Sequence, residues 1–268
     1  SSIYHLTCLM IVCYALFLPL STAMTTNFFY AVVLLWLVDK NLTNRLRFYF
    51  SYPLTLPLLA YIGLTFIGIL YTAGSFKAAK HEANEVVRLA IIPMLAFYLS
   101  DEQRNPYKKY VLYAFVGALI FTIFAAFLKV YADINIGHRT TGNDVFKNHI
   151  IVSYFMAIGL FLLTIWSLEF KKQKLMLLTL VSLVLYFMVF INTGRVGYIF
   201  IYVCFAVLAC HRFGFKGITL AIIGITSLLF LAYQFSDPFQ QRIDNFYTEL
   251  QLYQQGNSNT GVGHRLQF

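Results

Sequence analysis

Along most of the chain, apolar residues come in long runs separated by short polar connections that hold most of the charge. A membrane-spanning helix needs about 20 apolar residues, with a range of about 17–25. Runs of this kind occupy residues 3–20, 22–38, 53–71, 86–99, 110–131, 149–168, 175–191, 196–209 and 218–233. The pattern predicts about nine spans, of which the second, fourth and eighth are short or partly polar. There is no soluble domain, long linker or low-complexity segment. After residue 233 the pattern changes. Phe239, Ile243, Phe246, Leu250 and Tyr253 recur at spacings of four, three, four and three, with Arg242, Asp244, Asn245 and Glu249 between them. That spacing predicts an amphipathic helix lying on the membrane surface or packed against the bundle. A glycine- and asparagine-rich loop over 256–263 follows it.

The expected fold is therefore all-α: a polytopic transmembrane helical bundle of about nine spans plus one amphipathic helix at the outer face. Residues 1–268 read as a single membrane domain. Residues 1–233 form the bundle, and 234–268 are expected to be the start of an outer loop that is cut short at Phe268. Ser1 opens the chain without a basic stretch, so the first run is not read as a signal peptide, and the start is expected to be trimmed.

Composition supports this. The chain is 59% hydrophobic and 12% charged, against about 45–50% and about 25% for a soluble domain. These values exclude a soluble globular enzyme, a disordered chain and a disulfide scaffold. A net charge of +9 would suggest nucleic acid in a soluble protein. Here it reads as loop charge beside anionic lipid, and no nucleic-acid partner is expected. Cys8, Cys13, Cys204 and Cys210 lie within apolar runs without CxxC or zinc spacing, and read as small buried hydrophobes.

Lysine and arginine in alternate loops set the orientation. One side holds Lys40, Arg45, Arg47, Arg104, Lys108, Lys109, Lys171, Lys172, Lys174, Arg212 and Lys216, eleven cations against four acids. The other holds nine cations against seven acids, so the two sides carry +7 and +2. The first side is expected to be cytoplasmic, with the N-terminus inside and the tail after Tyr233 outside.

Candidate chemistry gathers on the outer side. Arg195 lies in Asn192-Thr-Gly-Arg195-Val-Gly-Tyr198, with no other charge between Leu175 and Ala209. A guanidinium held at the interface beside glycine backbone and a helix start is suited to gripping phosphate. The plainer alternative is an interfacial arginine reaching lipid phosphate. Arg139 stands in a Gly- and Thr-rich outer loop, followed by Lys147 and His149 in Val145-Phe-Lys-Asn-His149. These form a candidate cationic wall for an anionic or glycan substrate, or else a solvated loop against headgroups. Arg88 opens the fourth run after Lys77 and Lys80, either as a substrate contact or as an anchor. No Walker loop, GxGxxG, HExxH or GxSxG is present, and neither a metal nor a cofactor is expected. Acidic residues and histidines form no chain at membrane depth of the kind a proton-coupled transporter would want.

The many spans, the Asn192–Tyr198 motif at an outer helix start, and Gly263-His-Arg265-Leu after the next outer helix resemble the O-antigen ligase and polymerase superfamily. Arg139-Thr-Thr-Gly142 and Val145-Phe-Lys-Asn-His149-Ile resemble its ligase branch. The resemblance implies a metal-independent inverting glycosyltransferase of the GT-C type, working at the periplasmic face of the bacterial inner membrane. It implies a glycan on undecaprenyl pyrophosphate as donor and the lipid A-core oligosaccharide as acceptor. Arg195 and Arg265 map onto the two arginines that grip the donor pyrophosphate. Arg139, Lys147, Arg88 and His149 are second-rank candidates for donor or acceptor binding. On this resemblance the family's acceptor-activating histidine is expected beyond Phe268, and His264 does not occupy its position. A polymerase of the same superfamily, a lipid-linked glycan transporter and a non-catalytic membrane scaffold are the alternative readings. The clustering of cations at one face disfavours the transporter.

Overall fold

The computed structural model describes residues 2–38, 42–71, 83–100, 106–134, 136, 145–192, 194 and 196–255. All regular structure among them is helical. Among the described residues, five helices are long and apolar enough to cross a membrane, or six if a bent pair counts as one span, and two shorter apolar helices, Ile3–Phe17 and Thr55–Tyr71, accompany them. The chain divides into two compact units, 1–118 and 119–268.

In the first unit α1 (Ser2–Phe17) turns sharply into α2 (Thr22–Val38). Pro19 ends α1 because the residue before a proline is disfavoured in helical geometry. The Ser21 hydroxyl accepts from the Met24 N–H at 3.3 Å, and the Thr25 hydroxyl donates back to the carbonyls of Phe17 and Ser21 at 2.9 and 2.6 Å. Short α3 (Leu42–Ser51) leaves α2 at 117°. α4 (Thr55–Tyr71) follows Pro53. Residues 83–87 are helical and pass through a 3-10 turn, Arg88–Ala90, into α5 (Ile91–Leu99). Pro93 is buried in the first turn of α5, where its missing N–H costs no hydrogen bond. Cys8, Ile11, Val32, Trp36, Tyr49, Ile91 and Tyr98 form the core.

By sequence Arg45 belongs with the inner loop cations. The structure buries it, at 3% exposure, in that core. Its guanidinium lies 5.6 Å and 5.3 Å from the Phe97 and Tyr98 ring centres and donates to the Trp36 carbonyl at 3.0 Å. Trp36 is in the last turn of α2, where carbonyls lack helical partners and the helix dipole is negative. Arg45 therefore closes the end of α2 from within the protein.

α6 (Tyr107–Tyr131) contains the division between the units. In the second unit α7 (His149–Glu169) packs against α8 (Lys174–Tyr186) and α9 (Val196–Phe213), and α9 packs against α10 (Phe215–Phe235). Gly214 joins α9 to α10 with φ +63°, a left-handed conformation that glycine adopts freely. α8 does not end as an α-helix: Phe187–Ile191 forms a π turn. The amphipathic stretch folds as α11 (Asp237–Gln254), capped by the Ser236 hydroxyl, which accepts from Phe239 N–H at 3.3 Å. Its first half packs on the bundle through Phe239 and Ile243, while Phe246 and Tyr247 further along are exposed.

Candidate functional site

One end of the second unit brings together the starts of α7, α9 and α11 and the end of α8. The Asn192 side-chain oxygen accepts from Gly194 N–H at 3.0 Å, folding 192–194 into a tight side-chain-to-backbone turn. That turn sits directly on the first turn of α7. A Cβ added to Gly194 would lie 2.5 Å from the His149 carbonyl oxygen and 2.6 Å from the Ser153 hydroxyl. One added to Gly197 would lie 2.8 Å from the Ser153 backbone oxygen. The glycines in Asn192-Thr-Gly-Arg195-Val-Gly-Tyr198 are thus required by close approach of the α9 start to α7. Small residues at a helix crossing in an apolar bundle do the same.

The α7 start is itself built to be rigid. The Asn148 side chain caps it by accepting from Ile150 N–H at 3.0 Å, and the Ser153 hydroxyl donates to the Ile150 carbonyl at 2.7 Å. Just before the cap, Lys147 is buried at 8% exposure, with its ammonium 5.7 Å from the centre of the Phe155 ring. A solvated loop position does not describe it. The Phe146 ring stacks on Phe121 at 5.7 Å.

The π turn supplies the third wall. A π turn shifts carbonyls out of helical register, and these need other donors. The Tyr198 hydroxyl donates to the Met188 carbonyl at 2.7 Å, and the Ser236 hydroxyl donates to the Val189 carbonyl at 3.1 Å. The Tyr198 ring meets Phe239 edge-on at 5.2 Å. α7, α8, α9 and α11 are therefore joined at the same end of the unit.

Below this end an apolar cavity of about 510 Å³ opens between α7, α8, α9 and α10. Met188, Val189 and Tyr198 line one end of it and Arg212 and Phe213 the other, with Gly224 on the α10 wall. From Tyr198 to Arg212 along α9 is about 21 Å at 1.5 Å per residue, roughly two-thirds of a hydrocarbon core of about 30 Å.

Lys147 and His149 stand together at the α7 start, where the His149 carbonyl faces Gly194. Arg195 itself, Arg139 and Arg265 lie outside the described residues. Arg88 belongs to the first unit. It is 28% exposed and pairs with Glu85 at 3.2 Å. Sequence reasoning assigned no role to Asn192, Ser153 or Ser236. Ser153 had a readable signal, a small polar residue one turn inside an apolar run. Ser236 had another, a serine three residues ahead of Phe239 at a helix start. The chain matches no protein-family model, no curated protein and no solved structure.

Proposed function

We propose that this protein is an O-antigen ligase, a metal-independent inverting glycosyltransferase that moves a glycan from undecaprenyl pyrophosphate to the lipid A-core oligosaccharide. It works at the periplasmic face of the bacterial inner membrane, as a GT-C-like bundle of about nine spans with its N-terminus inside. The observation that supports this reading best is the seating of Gly194 and Gly197 on the α7 start, which follows the buried Lys147, at the end where Tyr198 lines an apolar cavity. A donor with a long polyprenyl chain and a pyrophosphate head needs both parts in that order, grease below and fixed cations above.

The chemistry follows from charge. As the glycosidic bond breaks, the leaving pyrophosphate gains negative charge. Guanidiniums held in a partly dehydrated site stabilise that charge without first reorganising solvent. Arg195 and Arg265 take this role. Lys147 adds a buried positive charge, and Arg139, Arg88 and His149 serve donor or acceptor binding. The polyprenyl chain lies in the cavity between α7 and α10. No cofactor enters the reaction.

Complementation tests this. The full-length gene goes into a ligase-deficient Gram-negative strain and long-chain lipopolysaccharide is scored on a gel. Wild type should restore the ladder. Arg195→Ala and Arg265→Ala should lose it at matched membrane levels. A wild type that only lengthens lipid-linked glycan would identify a polymerase, and mutants that behave as wild type would remove the site assignment.

A further inference from the structure

The cavity between α7 and α10 is charged at one end only, and that end is not the one at the glycine turn. α9 starts against the first turn of α7, so the two helices run parallel, and Arg212 in the last turn of α9 lies toward the end of α7. Short connections after α7 and α9 start α8 and α10 at that same end. Three polar side chains line the cavity: Thr164, Tyr198 and Arg212. Two of them have already given their protons. The Thr164 hydroxyl donates to the Leu160 carbonyl and the Tyr198 hydroxyl to the Met188 carbonyl, each at 2.7 Å. Arg212 is exposed, and among the described residues its guanidinium has no hydrogen-bond or ion-pair partner. Lys172, Lys174 and Lys216 are exposed at the same end, with Glu169 as the acid there. A long apolar space closed at one end by five free N–H donors selects an amphiphile and sets its direction.

We infer that this cavity is a binding site for an anionic phospholipid: its phosphate lies on the Arg212 guanidinium and one acyl chain runs up the cavity toward Tyr198. A guanidinium fork matches two phosphate oxygens, and the apolar walls exclude the water that would compete for them. The neighbouring lysines favour a headgroup with net negative charge over a zwitterion carrying the same phosphate. The reverse direction puts the phosphate where the cavity wall offers no uncommitted donor. The inference does not rest on the donor-lipid reading, since neither Arg195 nor a glycan enters it. A polyprenyl chain entering the same space has to displace this lipid.

The test is native mass spectrometry of the full chain, stripped by detergent exchange and titrated with phosphatidylglycerol or with phosphatidylcholine. Wild type should hold one phosphatidylglycerol about tenfold more tightly than phosphatidylcholine, and equal affinities would overturn the inference. Arg212→Gln keeps most of the apolar stem and removes the charge. It should melt as wild type does and bind phosphatidylglycerol about ten- to a hundredfold more weakly. Lys172→Gln removes a cation at the same end that does not line the cavity, and should lose about fivefold or less. Affinity of Arg212→Gln within twofold of wild type would overturn the inference. So would an equal loss in the two variants, which is the mark of surface charge without a site. Gly224→Phe tests the acyl chain. A Cβ at Gly224 meets nothing within 4 Å, so the ring fills cavity space, and phosphatidylglycerol affinity should fall about tenfold or more. Wild-type affinity in this variant would put the chain outside the cavity and overturn the inference. If Gly224→Phe does not fold, Gly224→Leu decides in the same way.

Discussion

Replacing Gly194 by alanine tests whether Gly194 is seated on α7 as described. The added methyl would stand 2.5 Å from the His149 carbonyl oxygen, 2.6 Å from the Ser153 hydroxyl and 2.7 Å from the Ser153 Cβ. Ordinary carbon–oxygen contacts are about 3.3 Å, so the turn or α7 must move by roughly 0.8 Å. Nothing nearby yields easily, because one contact is backbone and the Ser153 hydroxyl is already bonded to the Ile150 carbonyl at 2.7 Å. Overpacking of this kind costs about 1–3 kcal/mol, or roughly 2–4 °C of melting temperature per kcal/mol in a chain of this size. The readout is the fraction of monodisperse protein that survives a heat series on fluorescence-detected gel filtration. Gly224→Ala and Gly63→Ala are the controls, since a Cβ at either would meet nothing within 4 Å. Ser153→Gly should recover part of the loss in combination with Gly194→Ala, because it removes two of the three contacts but leaves the His149 oxygen. On the proposed ligase reading, transfer should fall more than stability does, by about tenfold or more at temperatures where the variant is folded, since sub-ångström displacement of a positioning group is costly to a reaction. If Gly194→Ala melts with the two controls, the turn does not rest on α7 and the description of the site is wrong.

Three further outcomes follow from the same contacts. Ser236→Ala removes the α11 cap and leaves the Val189 carbonyl without its donor, a loss of about 1 kcal/mol. Hydrogen exchange of the 239–243 amides should quicken about fivefold, and exchange limited to other helices would refute this. Arg45→Leu strips the Trp36 carbonyl of its donor and the Phe97 and Tyr98 rings of their cation. It should destabilise the first unit by about 2 kcal/mol or more in thermal melts, with Arg45→Lys between the two because an ammonium does not stack as a planar guanidinium does. Gly224→Phe puts a ring on the cavity wall where there is open space. On the proposed donor-lipid reading, protein yield and melting should hold while binding of geranylgeraniol drops, and retained binding would show that a prenyl chain does not occupy the cavity.

Uniform apolar runs are easy to read, and the second run, 22–38, is observed as α2 (Thr22–Val38) without change. His149 and Val196 open α7 and α9 where the sequence places them. What hydropathy does not carry is the state of the backbone inside a run. Residues 86–99 read as one segment, but a 3-10 turn divides it ahead of Pro93. Residues 175–191 read as a plain helix, but the last five form a π turn whose carbonyls are met by hydroxyls from residues 198 and 236. Partners so distant in the chain leave no local periodicity. Arg45 shows the same limit for charge: in sequence it is one of a cluster of loop cations, and only the fold of α3 brings aromatic rings over it. At the site, Gly194 and Gly197 were visible as a motif, but the reason for them was not, since Ser153 is some forty positions away.

The π turn at the end of α8 works as a socket with two plugs. One is the Tyr198 hydroxyl of α9 and the other the Ser236 hydroxyl that opens α11. Withdrawing either plug strands a carbonyl in apolar surroundings, so small sliding motions of these helices are opposed by about 1 kcal/mol for each carbonyl. α11 either holds its hydroxyl in the socket or leaves with its whole apolar first half, Phe239 and Ile243 included. A helix tethered in this way behaves as a latch with two settings, and relaxation measurements on α11 should show two exchanging states, not a continuum.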